Sequence, residues 1–201
     1  DGGYIVAGHL STGFDVFDLF AIRMNALGEV IWAKKYGGFS DDGCRGIVKT
    51  LDGNFVLMGY NGSSSFGGYD VLAIKIDGNG NQIWSSTVGD FNGEEGFAIT
   101  STNDGGVVIT GYSQAFDTKD VYIVKLNANG GVDWTKIVGS TFQQWGSAII
   151  QTIDGGYLIT GASDVGAPSQ PDFNCIMLKL DSSGNTIWMK DFGGQMAEEG
   201  R

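Results

Sequence analysis

The chain has 201 residues, of which 42 % are hydrophobic, 34 are glycine and only two are proline, and its formal net charge is −11. That apolar share supports a packed core and excludes a disordered tail. The acidic balance excludes the basic footprint of a nucleic-acid binder and disfavours anionic membrane surfaces. No apolar run reaches membrane-span length, because Arg or Lys interrupts even the strongest strand.

In chain order, Asp-Gly pairs at Asp1, Asp52, Asp104 and Asp154 recur at steps of 51, 52 and 50 residues. Seven residues after each comes a glycine: Gly8, Gly59, Gly111, Gly161. A segment of variable length then ends at Asp18, Asp70, Asp120 or Asn174, and from there the spacing is rigid. The cation (Arg23, Lys75, Lys125, Lys179), the turn Asp or Asn, the turn glycine and the tryptophan (Trp32, Trp84, Trp134, Trp188) follow at constant offsets. A glycine closes each unit at Gly37, Gly89, Gly139 and Gly193. This divides the chain into repeats of approximately 1–51, 52–103, 104–153 and 154–201. Residue 1 falls in mid-repeat and the last repeat lacks its closing strand, so the sequence reads as an excerpt of a longer protein in which further blades would adjoin this segment.

Periods of 40 to 50 residues with several strands each mark propeller blades. The expected fold is all-β, a propeller segment of four four-stranded blades, alone or within a larger ring. Strand A is expected at Gly46–Thr50, Ala98–Thr102 and Ala148–Thr152, followed by an Asp-Gly turn of type I′. Strand B covers Tyr4–Ala7, Phe55–Met58, Val107–Thr110 and Tyr157–Thr160. Strand C covers Leu19–Met24, Val71–Ile76, Val121–Leu126 and Cys175–Leu180, and its unbroken apolar run predicts burial on both faces. Strand D carries the tryptophan and the lysines Lys34, Lys35, Lys136 and Lys190, which suit an outer edge. A residue repeated once per blade is scaffold, so each tryptophan is expected to lock one blade to the next.

Function is expected on the face that carries the variable B–C loops and the D-to-A connections. Candidate ligand contacts are Phe66 and Tyr69 in the Gly- and Ser-rich loop at 62–69. Others are the acid pairs Asp41-Asp42 and Glu94-Glu95, with a further pair at Glu198-Glu199. Gln144 and Trp145 break the acidic pattern, and a departure confined to one blade is more informative than a repeated residue. Trp145 could stack on a sugar or peptide, or simply cover a neighbouring loop.

Catalytic signals are sparse. The single histidine, His9, reads as an ordinary residue at the start of a B–C loop, and the acid pairs read as a solvated rim rather than a general acid and base. Asp77, Asn79 and Asn81 alternate like the ligands of a calcium loop but lack the later bidentate Glu, so the turn reading is preferred. The cysteines Cys44 and Cys175 match neither a disulfide framework nor a metal spacing.

Asp-Gly-Gly-Tyr-Ile-Val-Ala-Gly at 1–8, Lys-Leu-Asp-Ser-Ser-Gly-Asn-Thr-Ile-Trp at 179–188 and the Gly-Gly plus acid-pair segment at 193–200 resemble the β-propeller repeats of large secreted proteins of Bacteroidetes-type bacteria. The Asp-x-x-Gly-x-x-x-Trp element is also similar to the tryptophan-docking repeats of quinoprotein-like propellers. The resemblance implies export to the cell surface or beyond, and tryptophans that lock blade to blade. Quinone-binding residues have no match, so no dehydrogenase activity follows. The expected function is a non-enzymatic extracellular binding or display scaffold for a glycan or protein, without cofactor. The alternatives are a spacer in a large adhesin and a segment of an extracellular enzyme whose catalytic residues lie elsewhere.

Overall fold

A computed structural model describes residues 2–13, 16–37, 41–62, 68–115, 118–139, 141–164 and 172–193. These residues form fifteen strands in four antiparallel sheets, and among them there is no helix. The first sheet contains β1 (Tyr4–Gly13), β2 (Val16–Met24) and β3 (Val30–Tyr36). The second contains β4 (Asp42–Lys49), β5 (Phe55–Asn61), β6 (Asp70–Ile76) and β7 (Gln82–Val88). The third contains β8 (Gly93–Ser101), β9 (Val107–Ala115), β10 (Thr118–Leu126) and β11 (Val132–Val138). The fourth contains β12 (Gln143–Gln151), β13 (Tyr157–Asp164), β14 (Phe173–Leu180) and β15 (Thr186–Phe192). In every sheet the spatial order is the chain order.

The sheets stack face to face, with an apolar layer at each junction. Leu19, Ala21, Leu57, Ile74 and Ile76 fill the first, Val56, Met58, Ile109 and Leu126 the second, and Val108, Ile123, Ile159 and Leu178 the third. Strand β6, between two neighbours, is buried along its whole length. By contrast, the end strand β14 alternates buried and half-buried positions over its second half. The unbroken apolar run of strand C thus means two-sided burial only in sheets with a neighbour on each side. Packing runs from β1 and β2 to β4, from β4, β5 and β6 to β8, and from β8, β9 and β10 to β12. Among the described residues the first and fourth sheets share no comparable packing. The result is a propeller-like stack that does not close.

Two local expectations are corrected. The Asp-Gly turn is a three-residue loop, not a two-residue type I′ turn. Gly53 N–H donates to the Thr50 carbonyl and Thr50 N–H to the Asn54 carbonyl, and in this turn only Gly53 has positive φ, +82°. That is a type I turn followed by a left-handed residue. The C–D turns use the same device, with Gly80 donating to Asp77 and Asp77 to Asn81.

Strand A also starts four or five residues earlier than expected. A β-bulge at Cys44/Gly46, Gly96/Ala98 and Gly146/Ala148 absorbs one residue, so the segment that reads as connection continues the ladder. His9, expected at the start of a loop, lies within β1. Its Nδ1 sits 3.3 Å from the Cys44 carbonyl oxygen. The Cys44 thiol is buried, which pushes its pKa up to about 11, so it is an inert core group.

The joints between sheets are built on the tryptophans. Trp32 donates its indole N–H to the Gly78 carbonyl (3.1 Å) and Trp84 to that of Ala128 (3.0 Å), each in the C–D turn of the next sheet. The ring lies against the turn glycine: a Cβ on Gly80 would come within 3.0 Å of the Trp32 ring. Gly184 meets the Trp134 ring in the same way. One satisfied indole donor plus a half-buried ring is worth about 2 kcal/mol per joint.

The repeated lysines tie strand C to the A–B turn of their own sheet. Lys75 meets Asp52 at 2.8 Å, Lys125 meets Asp104 at 2.8 Å and Lys179 meets Asp154 at 2.9 Å. Burial alone would push Asp104 up, but Lys125, the Thr102 hydroxyl and the Gly106 N–H outweigh it and bring the carboxyl down to about 2. Asp52 and Asp154 are depressed as well, the latter chiefly by the Thr152 hydroxyl and Lys179.

Two outcomes are expected. A Cβ on Gly111 would overlap the Glu95 carbonyl oxygen across the bulge; Gly111→Ala should therefore destabilise the chain by about 2–4 kcal/mol in urea unfolding, whereas Gly53→Asn should cost less than about 1 kcal/mol. The depressed carboxylates stabilise the fold above the ordinary Asp value of about 3.9 and lose that contribution as pH falls through the folded values. Unfolding midpoints should thus drop between about pH 4 and pH 2, less steeply in Asp104→Asn.

Candidate functional site

At the end of the sheets that carries the B–C loops, a cleft of about 490 Å³ opens between the second and third sheets. Gly68 and Tyr69 approach it from the loop before β6; Phe91 and Asn92 from the connection between β7 and β8; Gly93 and Glu95 from β8; and Tyr112 and Gln114 from β9. Two expected ligand contacts, Tyr69 and Glu95, meet here. Phe91 is 76 % exposed, an aromatic face held open to solvent.

The walls are fixed by charge-assisted contacts. Arg45, the bulge residue of β4, pairs with Glu95 across the sheet junction. Its guanidinium lies 5.4 Å from the Tyr60 ring centroid and 5.0 Å from that of Phe97. Tyr112 donates its hydroxyl to Glu95 at 2.7 Å, and Lys119 caps the Tyr112 ring at 3.9 Å. Burial, and then Glu95, push the Tyr112 phenol up. Tyr69 donates to Asp41 at 2.8 Å and packs against Tyr60 with ring centroids 4.6 Å apart and planes tilted by 56°; the hydrogen bond to Asp41, with burial behind it, pushes its phenol up to about 12. Both phenols therefore stay protonated and act as donors in the neutral range.

The other expected contacts lie elsewhere. Asp42, Glu94 and Gln144 are not on loops but in β4, β8 and β12, and all three are buried. They do not form a solvated acidic rim. Each is bonded to the strand beside it: Asn61 Nδ2 donates to Asp42 at 2.7 Å, Ser113 Oγ to Glu94 at 2.8 Å, and Gln144 Nε2 to Ser163 Oγ at 3.4 Å. The bulge explains this, since it carries the ladder back to these residues and turns them inward. Counting from the closing glycines, Asp42 is equivalent to Glu94, so Asp41-Asp42 and Glu94-Glu95 are offset by one position. The next position holds Gly43, Glu95 or Trp145.

Trp145 lies in β12, half-buried and edge-on to Phe173 at 5.7 Å, away from the cleft. Phe66 and the pair Glu198-Glu199 lie outside the described residues. Asp77, Asn79 and Asn81 form a C–D turn: Asp77 Oδ1 accepts the N–H groups of Asn79 and Asn81 at 2.8 Å each, and its Oδ2 accepts the Asn81 amide at 2.9 Å. The Asp77 carboxylate thus holds the turn together. Among the described residues no three His, Cys, Asp or Glu side chains converge as a metal site.

Sequence reading missed Phe91, Asn92, Tyr112, Gln114 and Arg45. Arg45 carried a signal, because it puts a cation where the other repeats have Phe97 and Ser147. Two crevices on the opposite face are lined by repeated scaffold residues such as Lys125, Trp134 and Arg23.

The Tyr69–Asp41 bond sets a checkable titration. In Asp41→Asn the Tyr69 phenol should fall from about 12 toward the ordinary value of about 10, visible as one tyrosine shifting in an ultraviolet difference titration. No protein-family model matches this chain, and no curated protein matches it either.

Proposed function

We propose that the chain is a segment of a secreted or surface-anchored β-propeller, a non-enzymatic module that binds a glycan through the cleft between its second and third blades. The cleft carries the reading: exposed Phe91 with Tyr69 and Tyr112 offers apolar faces, while Asn92, Gln114 and Glu95 offer donors and acceptors at its rim. Sugars present C–H faces flanked by hydroxyls, so rings beside carboxamides and a carboxylate are complementary to them. Arg45 holds Glu95 in place, which preorganises the wall before ligand arrives. The resemblance to secreted propeller repeats supports the extracellular setting, and the Trp32, Trp84 and Trp134 joints suit a rigid scaffold presenting variable loops. A stack of four sheets that does not close suits part of a larger ring.

A glycan array with the wild-type chain tests the proposal. Phe91→Ala should weaken any bound glycan by about tenfold or more, and Trp145→Ala should leave it unchanged. Binding that ignores Phe91 overturns the cleft as the site. Binding to no glycan, with a protein recovered in a pull-down, replaces the glycan by a protein ligand. If neither is found, the spacer reading takes its place.

A further inference from the structure

The three internal joints repeat one contact, and each end of the stack presents half of it. On the outer side of the fourth sheet stands Trp188, half-buried, with Lys190 Nζ 5.7 Å from its ring centroid. Trp32 in the first joint carries Lys34 in the same way, at 5.9 Å. On the outer side of the first sheet lies the turn 25–29, built as the turn 77–81 is. Gly28 N–H donates to the Asn25 carbonyl, Asn25 N–H donates to the Glu29 carbonyl, and Gly28 has a φ of +81°. Gly80, Gly130 and Gly184 are buried, each under the tryptophan ring of the preceding sheet. Gly28 is exposed, and among the described residues nothing lies within 4 Å of where its Cβ would be.

The faces around these two halves are apolar as well. Tyr4 and Val6 of β1 hold the positions of Phe55 and Leu57 in the second sheet and of Tyr157 and Ile159 in the fourth. Those four are buried against the sheet before them, whereas Tyr4 is 58 % exposed and Val6 43 %. Tyr157 meets the Trp134 ring edge-on at 5.7 Å, so the position of Tyr4 is one that receives a tryptophan. At the other end, Cys175 and Met177 of β14 are half-buried where Val71 and Ala73 of β6 are buried against the third sheet. Phe192 is exposed where Tyr36 is buried. Each end thus leaves an apolar layer half built, and exposed apolar area of this kind is characteristic of association surfaces.

We propose that a second copy of this chain docks head to tail on the first, the fourth sheet of one copy covering the first sheet of the other, with Trp188 laid on the turn 25–29. Charge singles out this pairing. In the first joint Lys34 Nζ donates to Asn81 Oδ1 at 2.9 Å. Lys190 holds the position of Lys34, and the position of Asn81 is held by Gly131, Asn185 and, in the first sheet, Glu29. Contact between the two ends is therefore the one joint of this design that brings a cation to an acid at that place. The Ala26 carbonyl stands where those of Gly78 and Ala128 accept the indole N–H of Trp32 and Trp84, and it is the acceptor for Trp188. Such a contact is heterologous, so copies add until a ring closes, or form a filament where the rotation does not close. It lies apart from the cleft between the second and third sheets and does not depend on what binds there.

Sedimentation velocity of the full chain over a range of concentrations, at physiological ionic strength, tests the proposal. Wild type should sediment as more than one chain, with a mass that rises with concentration. Trp188→Ala should weaken the association by about tenfold or more, as loss of a central interface tryptophan does. Glu29→Lys and Lys190→Glu change exposed side chains and leave the fold intact; each should weaken association by about threefold or more. Mixing these two variants should restore it, because each reversed charge then meets its opposite on the other copy. Association that the three changes leave unaltered, or that does not recover on mixing, overturns the proposal. A chain that stays monomeric at every concentration overturns it as well, and leaves the two faces to adjoining blades of the same polypeptide.

Discussion

The contact on which the stack depends is a tryptophan laid on a turn that has no side chain under it. The C–D turn ends in a glycine with positive φ, at Gly80, Gly130 and Gly184. The same missing Cβ that permits this backbone conformation clears the floor for the indole of the preceding sheet. One residue type therefore meets two demands, turn geometry within a sheet and close approach between sheets. The indole N–H of Trp32 and of Trp84 ends on a carbonyl of that turn, so the joint buries apolar surface without stranding a donor. Because the contact always runs from one sheet to the next, it propagates along the chain as repeat architectures require.

Glycine also governs the opposite end of the joint, with a different consequence. The closing glycines Gly37 and Gly89 each leave room for two polar side chains where a packed core would place apolar ones. Buried carboxyl groups are costly there without partners; at the first junction Lys35 meets Asp18, and at the second Ser113 donates to Glu94. The strand-A bulge sets which residue faces inward, Asp42, Glu94 or Gln144, and strand alternation puts the next residue on the opposite side. In the third sheet that neighbour is Glu95, which reaches Arg45 and the cleft wall. A one-residue bulge thus decides which of two adjacent residues takes the scaffold role and which the surface role.

Legibility from sequence varied with how far each feature depends on neighbours. The four-sheet order, the strand-C runs and the tryptophan positions were readable, because each is dictated by periodicity and repeated spacing. The beginning of strand A was not. A bulge adds one residue without changing composition, so the strand looked as if it began after it; the one-position offset of Asp41-Asp42 from Glu94-Glu95 lay in the count from the closing glycines. Trp145 drew attention as a departure from the pattern, yet Phe173, the counterpart of Phe17 and Tyr69, lies against it. Phe91 and Tyr112 gave no signal, since neither residue type stands out in a connection or a strand end.

By itself the sequence determined an all-β repeat, its sheet count, its turn glycines and its inter-sheet tryptophans. These follow from local backbone preference and from spacing that a chain cannot alter without losing its register. Only the tertiary structure decided which side of each strand faces inward, which carboxyl groups meet across a junction, and where aromatic rings from three separate segments gather into one cleft. Those outcomes depend on a one-residue bulge and on the juxtaposition of residues up to 46 positions apart, from Gly68 to Gln114, and such distances enter the physics only once the sheets are stacked.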